Sequence, residues 1–231
     1  MRTFNDYCNL HGCDKGDGYD YSNHYASFYE NWFSPVRDKV TNFCEIGIYE
    51  GASLKCYYDY FPNAKILGLD INADKTHHRN DRVYTDVLDQ SKEQDLINFA
   101  NKHIGKFDIV LDDGSHDIEH QQLTFGKLFK TVKPGGIYII EDLGSSFFAL
   151  GMDHSYYKQT LKKINNNTVK FLTERPFSSV WINENDLEYI NNNIDYVSLF
   201  DKLNEKLPYS DKIDCIHKYP VRSITSVIKK K

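Results

Sequence analysis

Two pairs of carboxylates, Asp112-Asp113 and Glu141-Asp142, each end a short apolar run, and His116 follows Asp113 by three residues. The runs are Ile109-Val110-Leu111 and Ile137-Tyr138-Ile139-Ile140. Apolar, partly β-branched stretches of this length fit strands buried on both faces of a parallel sheet. Ligands of open α/β sheets bind just beyond the carboxyl ends of such strands. Four carboxylates gathered at one rim repel one another unless a cation or a proton lies among them. A divalent metal site with a histidine beside it is therefore the chemistry this spacing suggests. Each acid pair alone reads equally well as helix caps or solvated side chains; two pairs on neighbouring strand ends, with a histidine, favour the metal.

The elements that must position these residues are legible on either side. Phe43, Cys44 and Ile46 form a first strand, and Glu45, Gly47 and Gly51 follow an ExGxxxG pattern, with Ala52 and Ser53 opening a helix that runs through Leu54, Tyr57, Tyr58 and Phe61. Glycines there permit a tight turn and close approach of the backbone to a ligand, and a fresh helix N-terminus favours a carboxylate or phosphate. Lys65 to Leu69 is a second strand ending at Asp70, 23 residues after Gly47. An acid about 20 residues downstream of a glycine turn is placed to accept hydrogen bonds from a ribose diol. Arg82 to Thr85 reaches Asp86, a third strand end, where an acid meets an adenine amino group or simply caps a loop. A helix over 91–104, a strand over Phe107 to Leu111, a helix from His116 to Val132 closed by Lys133-Pro134-Gly135-Gly136, and a strand over Ile137 to Ile140 continue the alternation. Regular β-α alternation predicts a parallel sheet with helices on both faces.

The flanks are less regular. Tyr25, Phe28, Tyr29, Trp32 and Phe33 recur at helical spacing, as a helix on the sheet edge, a lid over the ligand, or both. Asp14 to Gly18 reads as a loop. After Gly144 come an aromatic insertion at Ser145 to Gly151, a helix-like run at Tyr156 to Ile164, and a helix over Leu199 to Leu207. Two last strands, Ile213 to Tyr219 and Ser223 to Ile228, are joined tightly through Pro220-Val221-Arg222 and so pair antiparallel.

Composition narrows the functional classes. A net charge of −5 leaves no global footprint for nucleic acid, and Lys229 to Lys231 reads as a solvated tail. No apolar leader follows Met1 and no apolar run approaches a membrane span. Five cysteines, an odd number without a CxxC pair, suit a reducing compartment, so a cytoplasmic chain is expected. Cys8, His11, Cys13 and His24 match no common zinc spacing. Asn166-Asn167-Thr168 is a glycosylation acceptor in pattern only.

EIGIYEG, GLDI, DDGSH, KPGG, IIEDL and the final antiparallel pair together resemble the class I S-adenosylmethionine-dependent methyltransferases, strongly over roughly residues 40 to 144. DDGSH with IEDL is the specific part: it is similar to the metal-dependent sugar O-methyltransferases of macrolide glycosides and to the rhamnosyl O-methyltransferase and cephalosporin-hydroxylase-like groups. Lys15 to Phe33 resembles the segment these enzymes place before their first motif, although Asp14 to Tyr19 departs from it in detail. The resemblance implies a Rossmann-like, doubly wound, seven-stranded α/β sheet, mostly parallel with an antiparallel last strand. It implies one methyltransferase domain over 1–231: an N-terminal helical lid at 1–38, a cofactor-binding core at 39–144, and an insertion with the closing strand pair at 145–231.

By position, the resemblance implies that Glu45, Gly47 and Gly51 line the methionine part of S-adenosylmethionine with Ser53 nearby, that Asp70 holds the ribose and that Asp86 lies near adenine. Asp113, Glu141 and Asp142 would bind Mg²⁺ or Mn²⁺, with His116 the general base. Asp112 either faces the cofactor or braces its strand end. The reaction implied is transfer of a methyl group to a sugar hydroxyl of a glycan or glycosylated metabolite, a deoxysugar such as rhamnose included, leaving S-adenosylhomocysteine. A sulfonium is a good leaving group, so the difficulty lies in the weakly acidic hydroxyl. An oxygen-rich site favours Mg²⁺ over softer metals, coordination lowers the hydroxyl pKa, and a histidine near neutral pKa takes the proton. Three rivals stand beside this reading. A nucleotide-sugar or NAD oxidoreductase is disfavoured because ExGxxxG is not the GxGxxG fingerprint. A non-catalytic cofactor-binding domain is disfavoured by the four polar residues kept together. A catechol-type O-methyltransferase shares the metal logic and needs a flat apolar slot. The sequence leaves a homo-oligomer open.

Overall fold

The computed structural model describes residues 2–18, 23–72, 80–144, 165–203 and 222–231. Seven strands form one sheet: β1 (Asn42–Ile46), β2 (Lys65–Asp70), β3 (Val83–Val87), β4 (Phe107–Asp112), β5 (Val132–Ile140), β6 (Ile194–Leu203) and β7 (Arg222–Lys230). Their order is β3-β2-β1-β4-β5-β7-β6. The first five run parallel, while β7 is antiparallel to both β5 and β6.

Side chains alternate across the sheet with the period of two that strands impose, and this sorts the core into two layers. Phe43, Ile109, Ile137 and Ile139 point to the face covered by α1 (Phe4–His11), α2 (Ala26–Phe33) and α3 (Ala52–Tyr60). Cys44, Val110, Tyr138 and Ile140 point to the face covered by α4 (Glu93–Lys102), α5 (Ile118–Leu128), α6 (Thr168–Thr173) and α7 (Glu184–Asn193). The first layer is dense in rings: Phe43 stacks on Tyr57 with centroids 4.1 Å apart, and Phe4 packs among Phe33, Tyr57 and Tyr60.

One sequence expectation is overturned. Leu199 to Leu203 belongs to β6, not to a helix, and the strand that pairs with the chain's last one is Ile194–Leu203. The proposed strand at Ile213 to Tyr219, like the 145–151 insertion and the run at 156–164, lies outside the described residues. The spacing misled because Leu199 and Leu203, four apart, suit one helix face as well as one strand face. In the strand, Tyr196 meets Trp32 and Phe200 stacks on Phe28 of α2. KPGG lies inside β5 rather than before it, with a register shift against β4.

Candidate active site

The C-terminal ends of β1, β2, β4 and β5 frame a cleft of about 490 Å³ lined by Gly47, Tyr49, Ser53, Asp70, Asp113, His116 and Asp142, with Cys13, Asp14 and Lys15 closing one side. A second cavity of about 310 Å³ adjoins it through Gly47, Asp70 and Gly114 and continues past Ile71, Leu88, Asp89, Gln90, Ser91, Ser115 and His120.

Local chemistry builds this shape. Gly47 has φ +81°, and a Cβ there would run into the Asp113 carbonyl, so strands β1 and β4 approach only because this residue is glycine. Gly51, at φ +78°, opens α3 in the left-handed region. Asp70 fastens the glycine turn: Oδ2 accepts from the backbone N–H of Ile48 and Tyr49 at 3.1 and 3.2 Å, and Oδ1 accepts from Asn72 N–H at 2.8 Å. Across the cleft, Gln90 clamps the DDGSH turn, accepting from Ser115 N–H at 2.8 Å and donating to Asp112 Oδ1 at 2.8 Å.

At the rim, His116 Nε2 lies 3.5 Å from Asp142 Oδ2 and 4.0 Å from Asp113 Oδ1. Ligand atoms of these three residues fall within 4.8 Å of one another. His116 and Asp142 both have left-handed backbones, φ 55° and 51°. Histidine and aspartate tolerate that region better than most residues, yet each such residue costs on the order of 1–3 kcal/mol and persists only where its surroundings hold it. Tyr25 supplies part of that hold, its hydroxyl donating to Asp142 Oδ1 at 2.8 Å.

Beneath the rim lies a buried charge layer that the sequence did not reveal. Lys15, 1% exposed, puts Nζ 2.5 Å from Asp113 Oδ2, 3.0 Å from Glu141 Oε2 and 3.9 Å from Glu45 Oε1. The loop before α2 aims it inward: Asn23 and Ala26 N–H donate to the carbonyls of Asp14 and Lys15, while Asn9 accepts from Gly18 N–H. Burial opposes the ammonium, but Asp113 and Glu141 outweigh it and hold Lys15 charged well above the ordinary lysine range. Glu141 is fully buried, accepts from the Tyr29 hydroxyl at 2.8 Å, and is pushed well up by burial and by Asp113. The Lys15 ammonium bridges it to Asp113, and Glu141 is not among the three residues whose ligand atoms fall within 4.8 Å of one another.

Three other expected contacts are placed differently. Glu45 does not line the cleft; it is buried and accepts from Ser53 Oγ at 2.6 Å and Tyr57 hydroxyl at 3.2 Å, so Ser53 and not Glu45 faces the ligand space. Asp86 lines neither cavity. It sits within edge strand β3, exposed and accepting from Val87 N–H at 2.8 Å, because the strand runs on before turning at Leu88 to Gln90. Asp112 is buried, and its Oδ1 accepts from Gln90 Nε2 at 2.8 Å and Gly114 N–H at 3.3 Å. Lys15 and Gln90 were missed because each looks like an ordinary loop residue, while Tyr25 and Tyr29 were read as members of an aromatic helix or lid without their acid partners.

The buried acids set a pH dependence. Burial pushes Glu45 up to about 8 and Asp112 up to about 7. The folded state keeps protons that the unfolded chain releases near the ordinary carboxylate pKa of roughly 4, so these groups lower stability as pH rises through that value, until the folded pKa values are passed. Asp108 and Asp186, held low by Lys133 and Lys127 against burial, act oppositely and lose their contribution only below the ordinary aspartate pKa. Urea midpoints are thus expected to be higher at pH 5 than at pH 8, with a smaller difference in Glu45→Gln; equal midpoints would show that the acids are ionised in the fold.

This sheet order, with a reversed seventh strand and a cleft at the parallel strand ends, is the Rossmann-like fold of solved O-methyltransferases. The mycinamicin-pathway methyltransferase MycE, solved with Mg, S-adenosylhomocysteine and mycinamicin VI, superposes with a TM-score of 0.67 at 21% identity, over 100% of this chain and 55% of that one. No known family model matches the chain. In sequence, its relatives are sugar O-methyltransferases. The 8-demethyl-8-α-L-rhamnosyl tetracenomycin-C 2′-O-methyltransferase of Streptomyces olivaceus is 41% identical over 145 residues, 60% of this chain and 37% of that protein. Demethylmacrocin O-methyltransferase of Streptomyces fradiae is 38% identical over 54% of this chain and 33% of its own length. The chain thus spans about a third of the length of the curated relatives it matches. Among the described residues no helix is long and apolar enough to cross a membrane.

Proposed function

We propose that the chain carries a Mg²⁺-assisted, S-adenosylmethionine-dependent O-methyltransferase activity toward a sugar hydroxyl of a glycan or glycosylated metabolite, within one domain over 1–231. The observation that carries this reading is the convergence of Asp113, His116 and Asp142 on the cleft that also holds Gly47 and Asp70. The names of the sequence relatives supply the acceptor class, and the metal and cofactor bound to MycE supply the expected ligands.

The donor set fits the cation. Asp113 and Asp142 offer carboxylate oxygens at a partly open rim, which suits Mg²⁺ with its retained waters, while a hard ion leaves the imidazole nitrogen free. Bound together, the sulfonium supplies the methyl group and the cation lowers the pKa of the acceptor hydroxyl. The chain's residues do the rest. His116 Nε2 takes the hydroxyl proton, and Asp142 at 3.5 Å stabilises the imidazolium that results. Beneath, Lys15 pairs with Asp113 and lies beside the proton-retaining Glu141 and Glu45. Asp70, already orienting the Gly47 to Tyr49 turn, accepts from the ribose diol. Leu88 to Ser91, in place of Asp86, wall the adenine end.

Calorimetric titration of S-adenosylmethionine, with and without Mg²⁺, joined to a methyl-transfer assay on deoxysugar glycosides, tests the reading. Expected are cofactor binding and EDTA-sensitive transfer. Asp70→Ala should weaken cofactor binding at least 10-fold, since each lost hydrogen bond to a charged group is worth about 1.5–3 kcal/mol; unchanged affinity would remove Asp70 from the ribose. Transfer that ignores EDTA would remove the metal.

A further inference from the structure

We propose that Cys8, Cys13 and Cys56 form a second metal site, separate from the acid rim, for a thiophilic ion of the zinc(II) type. The three sulfur atoms lie within 4.8 Å of one another, and all three residues are buried. They come from three places in the chain. Cys8 is in the last turn of α1, Cys13 follows the left-handed Gly12 cap with its N–H on the Cys8 carbonyl at 2.9 Å, and Cys56 projects from α3.

In sequence Cys8 and Cys13 lacked partners, because the histidines between and after them match no zinc spacing. The structure sends His11 away, its Nε2 2.7 Å from Asp59, and brings Cys56 into the group instead. Zinc–sulfur bonds of about 2.3 Å in tetrahedral geometry put sulfur atoms roughly 3.8 Å apart, inside the 4.8 Å that encloses this cluster. Thiolate ligands select soft ions such as zinc over Mg²⁺.

A structural zinc ion takes four ligands, so the three thiolates leave one position for a further donor. Cys13 lines the cleft, which gives an entry path, and Asp14 Oδ1 lies 4.0 Å from its sulfur. The charge balance is workable: three thiolates on a divalent ion leave one negative charge, close to the Lys15 ammonium. Isolated buried cysteines behave as small apolar residues, and Cys44, in the opposite layer, is one. Ion binding would tie α1 to α3 and so fix the loop that carries Lys15.

Cobalt(II), added to freshly reduced, metal-free full chain under argon, is the probe. Expected is a thiolate-to-cobalt charge-transfer band with the visible bands of a tetrahedral ion, saturating at one equivalent per chain. The bands are displaced by zinc and unaffected by excess Mg²⁺. Cys44→Ser keeps them; Cys8→Ser and Cys56→Ser each lose the charge-transfer intensity while circular dichroism reports an intact fold. Wild-type protein without the band, or Cys56→Ser with the full band, overturns the site. X-ray absorption of the zinc-loaded wild type decides independently of any variant: three sulfurs at about 2.3 Å support it, and an oxygen and nitrogen shell alone overturns it.

Discussion

Exchanging His116 for asparagine is expected to slow methyl transfer by about 10²–10⁴-fold, the usual contribution of a positioned general base, with S-adenosylmethionine affinity unchanged. Asparagine is the informative replacement because His116 sits at φ 55°, a backbone state that asparagine adopts readily and alanine does not. The side chain is 39% exposed and lies above the buried charge layer, so its loss leaves no cavity in the core. The effect should therefore fall on kcat, because the base acts in the transition state and not on the bound cofactor. Added imidazole should restore part of the rate, as a diffusible base enters the space vacated at the rim. Single-turnover transfer from labelled cofactor to a deoxysugar glycoside, beside calorimetry, measures both quantities. A full rate in His116→Asn would return the histidine to a cap on the turn before α5.

Lys15→Met is expected to destabilise the fold by about 3–5 kcal/mol, the cost of removing one partner from a buried ion pair. The reason is geometric: the ammonium lies 2.5, 3.0 and 3.9 Å from Asp113, Glu141 and Glu45, which descend from three different strands and cannot move apart. Without it, the acids meet their mutual repulsion only by taking up protons. Their folded pKa values then rise further, and the stability lost as pH climbs above the ordinary carboxylate range grows. Urea unfolding at pH 5 and pH 8 reads this directly. The variant should fall short of the wild type at both values and by more at pH 8. Adding Glu141→Gln should recover part of the loss, since one of the stranded charges is then gone. A midpoint unchanged at pH 8 would mean that water or a bound cation already screens the acids.

The same two residues mark how far the chain could be read without its fold. His116 was visible because it lies in a short motif: a buried strand, two acids, a glycine turn and a histidine follow in order, and strand burial leaves a pattern of consecutive apolar residues. Lys15 was not visible, because its partners are 98 residues away at Asp113 and farther still at Glu141, and a lysine beside glycines looks like any solvated loop. The end of β3 was read one residue early, at Asp86, for a related reason. Strand ends are blurred in sequence, and an edge strand such as β3 lacks the apolar run that sharpens them.

Local sequence by itself determined the parallel strands, the glycine turn after β1, the acids at the strand ends and the class of chemistry they suit, since each depends on short-range periodicity and backbone freedom. Tertiary structure alone decided which acids line the cleft and which are buried beside Lys15, that Tyr25, Tyr29 and Gln90 hold them, that β6 is a strand and not a helix, and that Cys56 joins Cys8 and Cys13. Those outcomes rest on where residues far apart in the chain meet, and a charge, a hydroxyl or a thiol carries no record of its distant partner in its neighbours.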